Sequence, residues 1–192
     1  AGIMGAKGNN GIGISGVNWE ISMMVLKAFD ERGAGSTAST LAALEYARDK
    51  GAKLTNNSWG GPNKSKMTED ELKDHEKDGI LCIAAAGNHG KDIKKDKAYP
   101  ASYKVDNIIA VAAIDSTYDL ASFSNYGKKD VDLAAPGENI YSTLPGNSYG
   151  YHSGTSMAAP YVSGIAALIW SYDPSLTADK LKQTIVDNVH YN

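Results

Sequence analysis

The sequence has one cysteine, Cys82, in 192 residues. No internal disulfide can form, and Cys82 sits in an apolar run where a thiol is expected to behave as a small buried hydrophobe. No apolar run reaches the roughly 20 residues that a membrane-spanning helix needs. There is no excess of positive charge: 19 Lys and Arg stand against 22 Asp and Glu, for a formal net charge of −3, so no nucleic acid is expected as a partner. The start lacks both an initiator methionine and the charged and apolar regions of a signal peptide. Ala1-Gly2-Ile3-Met4-Gly5 reads as the interior of a longer chain. What remains is an ordinary globular composition, 42% hydrophobic and 21% charged, and enough of it for one domain with a real core.

Along the chain, apolar runs of strand length alternate with helical periodicity. Ile21–Phe29 reads as a buried strand closed by Asp30-Glu31-Arg32. Thr37–Lys50 reads as a helix, with Leu41, Leu44 and Ala47 or Arg48 at three-four spacing and Gly51 as its stop. Ala52–Trp59 is the next strand. Thr68-Glu69-Asp70-Glu71 fits a capping box that opens a helix to about Asp78, with His75 on a solvated face. Ile80–Ala86 is a buried strand, Lys91–Lys97 a solvated loop, and Asn107–Asp115 an alternating apolar strand. A hairpin follows Tyr141, then an apolar helix over Met157–Trp170 and a last helix from Thr177 to near His190. This alternation predicts an α/β fold: a mainly parallel sheet with helices on both faces.

The chemistry centres on Gly154-Thr155-Ser156-Met157-Ala158-Ala159-Pro160, a tight turn between the strand-like Ser148–Ser153 and the apolar helix. A serine there stands at the lip of the domain. Its backbone N–H belongs to the unpaired donors of a helix start, which favour developing negative charge. That suits a nucleophile attacking a carbonyl, with the N–H helping to hold the oxyanion. The plainer alternative is that Thr155 or Ser156 caps the helix. Asn88, at the end of another buried strand, offers a side-chain amide that can donate to an oxyanion. Its alternative is a turn-forming Asn-His-Gly.

Gly154–Pro160 with Tyr161-Val162-Ser163-Gly164 resembles the serine motif of the subtilisin-like serine proteases. Ala84-Ala85-Ala86-Gly87-Asn88 resembles that family's oxyanion segment, and Asn56-Asn57-Ser58-Trp59-Gly60-Gly61 a substrate-binding strand. The blocks occur in the family's order, and the resemblance covers almost the whole chain. It implies the subtilisin-like α/β fold, with residues 1–192 as part of one catalytic domain. It implies a serine endopeptidase in which Ser156 is the nucleophile and Asn88 the oxyanion donor. An extended substrate would lie between Gly33-Ala34-Gly35 and Ser58-Trp59-Gly60, with Ala86, Gly87 and His89 near the specificity pocket. Ala1-Gly2 resembles the last two residues of the family's histidine motif. The general base, and the catalytic Asp before it, are therefore expected upstream, and the chain is expected to be short at both ends. None of His75, His89, His152 and His190 matches that motif. His152, four residues before Ser156, is read as a hairpin histidine.

The resemblance also identifies Gly8-Asn9-Asn10-Gly11-Ile12-Gly13-Ile14 with the family's calcium loop. It assigns the Asn10 side chain and the carbonyls of Gly8, Ile12 and Ile14 to Ca²⁺, with further ligands, including a carboxylate, from upstream. Without the resemblance an ordinary Gly-rich turn is the better reading. Peptide or protein substrates are the implied partners, with room for an inhibitory propeptide, and the secretory route is the implied location. The strand resembling Ile21–Phe29 pairs, in the family, only with upstream strands, so here it is expected to lack ladder partners. Two other classes remain. A peptide-binding module that has lost its triad differs only in the upstream residues. A dinucleotide-binding domain is argued against by the Gly-rich loop, which precedes a strand instead of linking strand to helix.

Overall fold

The computed structural model describes residues 1–190. Four short strands form a wholly parallel sheet in chain order: β1 (Leu54–Asn57), β2 (Leu81–Ala85), β3 (Ile108–Ile114) and β4 (Leu133–Pro136). Residues Leu81, Ile83 and Ala85 of β2, with Ile109, Val111 and Ala113 of β3, face helices α4 (Thr155–Tyr172) and α5 (Ala178–Asp187). The alternate residues Cys82, Ala84, Ile108 and Ala110 face Leu44 of α2 (Thr37–Asp49) and Leu72 of α3 (Lys66–Lys77). A sheet covered on both faces buries both sets of side chains, so β3 is buried almost throughout. The expectation of alternating exposure for Asn107–Asp115 is thereby overturned. A separate antiparallel hairpin, β5 (Ile140–Leu144) and β6 (Ser148–His152), delivers the chain into α4. A one-turn helix, α1 (Gly2–Gly5), lies against α4.

Helix α2 starts where its sequence directs. Ser36 accepts from the Ser39 N–H and Ser39 Oγ from the Ser36 N–H, a reciprocal cap. Helix α3 starts three residues earlier than the Thr68 box predicts, with Ser65 as its N-cap accepting from the Thr68 N–H. Ser65 is held there from a distance: its N–H donates to Tyr103 Oη and its carbonyl accepts from the same hydroxyl. The last helix ends at Asp187, a few residues before the expected His190.

Ile21–Phe29 is not a buried strand. It has no regular secondary structure and is largely exposed, with Val25 82% exposed. Its one bridge, Phe29 to Gly35, closes a local turn, so the expected absence of ladder partners is observed among the described residues. The apolar pattern marks a segment suited to burial, but an extended segment becomes a strand only when its N–H and C=O groups meet those of a neighbour.

His75 overturns the expectation of a solvated face. It is fully buried between α3 and α2, with Nε2 3.1 Å from the Leu44 carbonyl and 3.3 Å from Glu71 Oε1. Its Nδ1 is buried without a partner. Glu71 is itself gripped by Arg48 at 2.8 Å, and Arg48 also reaches Asp78. Burial, foremost, holds the imidazole below its usual pKa. The Leu44 carbonyl and Glu71 oppose that shift, and Arg48 adds to it. A lowered folded-state pKa means that the unfolded chain takes the proton first. Stability from neutral His75 is therefore complete above about pH 6.5 and is lost as pH falls below that value toward the lowered one. In urea melts between pH 7 and 5, His75→Gln should remove up to one proton's worth of the slope, about 1.4 kcal/mol per pH unit. Equal slopes for parent and variant would discard this account.

Candidate active site

Ser156 sits in the first turn of α4, whose N-cap is Gly154 with no capping side chain, so neither Thr155 nor Ser156 is the cap. The first backbone donors of a helix have no partner within it. Here they are divided. The Thr155 N–H donates to Asn88 Oδ1 at 2.8 Å, and the Met157 N–H to the Gly154 carbonyl at 2.9 Å. The Ser156 N–H has no acceptor among the described residues. Thr155 is buried and adds a second anchor. Its hydroxyl donates to Asn88 Oδ1 at 2.9 Å and accepts from the Gly87 N–H at 3.0 Å.

These bonds occupy the carbonyl end of the Asn88 side chain and leave its amide end, Nδ2, without an acceptor among the described residues. The space that Gly154 leaves empty shows where the free donors converge. A Cβ on Gly154 would stand 3.2 Å from Asn88 Nδ2 and 3.7 Å from the Ser156 nitrogen. Two unpaired N–H donors thus border one small volume beside a serine hydroxyl.

Pro160 explains the other side of the serine. Having no N–H, it cannot bond the carbonyl four residues back, which is that of Ser156. Ser58 supplies the missing donor: its hydroxyl donates to the Ser156 carbonyl at 2.9 Å. In return Ser156 Oγ donates to the Ser58 carbonyl at 3.0 Å. Behind Ser58, Asn56 Nδ2 donates to the Ser58 hydroxyl, and Ser163 of α4 donates to Asn56 Oδ1. The end of β1 and the start of α4 are therefore tied by a continuous polar chain.

The structure brings most of the expected residues together. Ser58 and Trp59 extend beyond β1, and the Trp59 ring lies 6.2 Å from that of Phe29, which joins this arm to the 29–35 turn. Gly33, Ala34 and Gly35 are exposed, but Ala34 is already engaged: its N–H donates to Asp30 Oδ1 and its carbonyl accepts from the Asp30 N–H. Gly60 approaches the Tyr99 carbonyl closely, and neighbouring Gly61 pairs with Tyr99. Ala86 is buried with its N–H on the Val111 carbonyl, Gly87 follows with φ +104°, and His89 is exposed.

Ser156 also borders a cleft of about 430 Å³ shared with Ala1, Gly2, Ser58 and His152. His152 is exposed at the end of β6, as a hairpin histidine should be, and it faces the same cleft without a hydrogen bond to Ser156. The other strong nucleophile by residue type, Cys82, is fully buried, and its thiol is pushed up to about 12 by that burial. It is inert at neutral pH. Asn125 is the contributor that sequence reading passed over. It is buried and bonds the 86–91 segment at several points, and nothing in its local pattern distinguishes it from a loop asparagine.

The Gly-rich loop does not make a calcium site by itself. Asn10 Oδ1 accepts from the Ile12 N–H at 3.0 Å, turning the side chain into its own loop. Gly8, Ile12 and Ile14 bring three carbonyls, fewer than the roughly six to eight oxygens that Ca²⁺ takes, so further ligands would have to come from elsewhere. No group of three His, Cys, Asp or Glu side chains able to hold a metal ion occurs among the described residues. Among the same residues, no helix is long and apolar enough to cross a membrane.

Comparison with known proteins shows the family. The family model described as "Subtilase family" matches residues 1–192. The "Major intracellular serine protease" of Bacillus subtilis (strain 168) is 39% identical over 189 residues, covering 97% of this chain and 58% of that protein. "Subtilisin DY" of Bacillus licheniformis is 37% identical over 178 residues, covering 92% of this chain and 64% of the relative. The crystal structure of a cold adapted subtilisin-like serine proteinase superposes with a TM-score of 0.85 at 28% identity, covering 92% of this chain and 63% of that one. The chain thus spans about three-fifths of the length of these relatives. One relative is by name intracellular, so membership carries no compartment with it. With the family model matched from end to end and the overall fold shared with a solved subtilisin-like proteinase, this chain belongs to the subtilase family of serine peptidases.

Proposed function

We propose that residues 1–192 form part of the catalytic domain of a serine endopeptidase that cleaves peptide bonds through an acyl-enzyme on Ser156. The observation that carries this is the convergence of two unpartnered donors, Asn88 Nδ2 and the Ser156 N–H, beside the Ser156 hydroxyl. In this reading Ser156 Oγ attacks the scissile carbonyl carbon. The oxygen that gains charge moves into the volume above Gly154, which both donor nitrogens border. Such prearranged donors stabilise the transition state more than the ground state. The peptide or protein substrate lies extended between Gly33–Gly35 and Ser58–Gly60.

The proton on Ser156 needs an acceptor. Among the described residues its only partner is the Ser58 carbonyl, and no histidine is bonded to it. The base is therefore proposed to be a histidine outside these 192 residues, held by an aspartate also outside them. A serine-directed phosphonate tests the reading. The full-length protein should be labelled stoichiometrically at Ser156, and residues 1–192 alone should not. An unlabelled full-length protein would favour a peptide-binding module without catalysis. Labelling of the 192-residue chain would place the base within it, with His152 as the residue facing the cleft.

A further inference from the structure

The loop bearing Asn88 is held from two sides. On one side Thr155 grips the Asn88 carboxamide oxygen and the Gly87 N–H. On the other stands Asn125, 2% exposed, whose hydrogen bonds reach Ala86, Gly87, His89 and Lys91 but not Asn88. Its Nδ2 donates to the Ala86 carbonyl at 2.8 Å. Its Oδ1 accepts from the His89 and Lys91 N–H groups, each at 3.0 Å. Its own backbone N–H donates to the Gly87 carbonyl at 2.9 Å. The loop is wrapped closely onto this side chain: Gly87 is left-handed, and a Cβ there would run into the Asn125 amide. Asn125 is in turn suspended from the central strand. Ser124 Oγ accepts from the Ala113 N–H of β3 and donates to the Asn125 carbonyl.

We propose that Asn125 is a positioning residue for peptide hydrolysis, acting through Asn88: it sets residues 86–91 so that the Asn88 amide faces the developing oxyanion. The inference rests on the serine-peptidase reading above. The side chain must both donate, to Ala86, and accept, from His89 and Lys91. A carboxylate offers only acceptors and a small side chain cannot span the loop. A displacement of about 1 Å in a donor can cost on the order of 10²-fold in rate. Asn125 touches neither Ser156 nor the volume above Gly154, but the segment it holds includes Ala86, Gly87 and His89, expected near the specificity pocket, so its effect should fall more on kcat than on KM.

The test uses steady-state kinetics of the full-length protein on a chromogenic peptide. Asn125→Ala should lower kcat by about 10–100-fold with a smaller change in KM. In an Asn88→Ala background the same change should cost less than about twofold more, because the donor it positions is gone. Asn125→Asp keeps both acceptor bonds and sets a carboxylate oxygen against the Ala86 carbonyl. Its kcat relative to the parent should rise as pH falls and the carboxyl regains a proton to donate. If Asn125→Ala does not fold, the Asp variant decides through that pH ratio. Additive losses in the double variant, an effect confined to KM, or a pH-independent ratio for the Asp variant would each overturn the proposal. Failure of the underlying reading is distinct: Ser156 would then be unlabelled by phosphonate, and Ser156→Ala would leave hydrolysis unchanged.

Discussion

Replacing Ser156 with alanine should lower turnover of the full-length protein by about 10⁶-fold, a magnitude carried over from subtilisin, itself a family member. The substitution removes one oxygen and one hydrogen bond, from Ser156 Oγ to the Ser58 carbonyl. The local frame should survive it. The Ser58 hydroxyl still has the Ser156 carbonyl to bond, because Pro160 leaves that carbonyl free whatever side chain residue 156 carries. Stability should therefore fall by no more than about 1 kcal/mol, and KM should stay within a few-fold. Any rate left above the uncatalysed one would come from the two converging donors and from substrate binding. Turnover with a chromogenic peptide and a thermal melt check both parts. Retention of more than about a hundredth of the activity would mean that another group is the nucleophile.

Asn88→Ala should reduce kcat by about 10²–10³-fold with little change in KM; the figure is again that of the subtilisin oxyanion donor. The structure adds a second consequence. Asn88 Oδ1 also serves the start of α4, accepting from Thr155 N–H and Oγ, so the alanine variant should lose about 1 kcal/mol of stability as well. Asn88→Asp separates the two roles. It keeps an acceptor for Thr155, and its negative charge suits a helix N-terminus, so stability should be retained. It has no amide to donate and would repel the oxyanion, so kcat should fall at least as far as in the alanine variant. An aspartate variant with near-parental kcat would remove Asn88 from the chemistry. A rise in KM at constant kcat would assign it to substrate binding instead.

The expected elements that match the structure share a property. Helices α2 and α5 carry their own caps, Ser36 and Thr177, within three residues of the donors they serve. Strand β2 is an unbroken apolar run long enough to be buried wherever it lands. The mismatches fail for one reason, which is that distant neighbours, present or missing, outvote the local pattern. The start of α3 follows Ser65 because Tyr103, 38 positions away, holds that residue by two hydrogen bonds. His75 lies among charged residues that read as solvated, yet α2 covers it and the Leu44 carbonyl receives its Nε2. Ile21–Phe29 has the composition of a strand and no neighbour to make it one among the described residues.

The site divides in the same way. Gly154-Thr155-Ser156 was legible because its chemistry is local. A glycine turn and a helix start follow from consecutive residues, and with them the proposed nucleophile and its free N–H, whereas the donor that Pro160 makes the Ser156 carbonyl require was seen only in the structure. Sequence alone therefore determined the alternation of strand and helix and the family, and it singled out the serine proposed as nucleophile. Which end of the Asn88 side chain is free was decided only by the fold, which brings Thr155 to its oxygen from 67 positions away. The same holds for the Ser58–Ser156 exchange across 98 positions and for the grip of Asn125 on the 86–91 loop. Hydrogen bonds are short and directional, so their partners are selected by the positions of packed elements, and those positions are a property of the whole sheet and its helices.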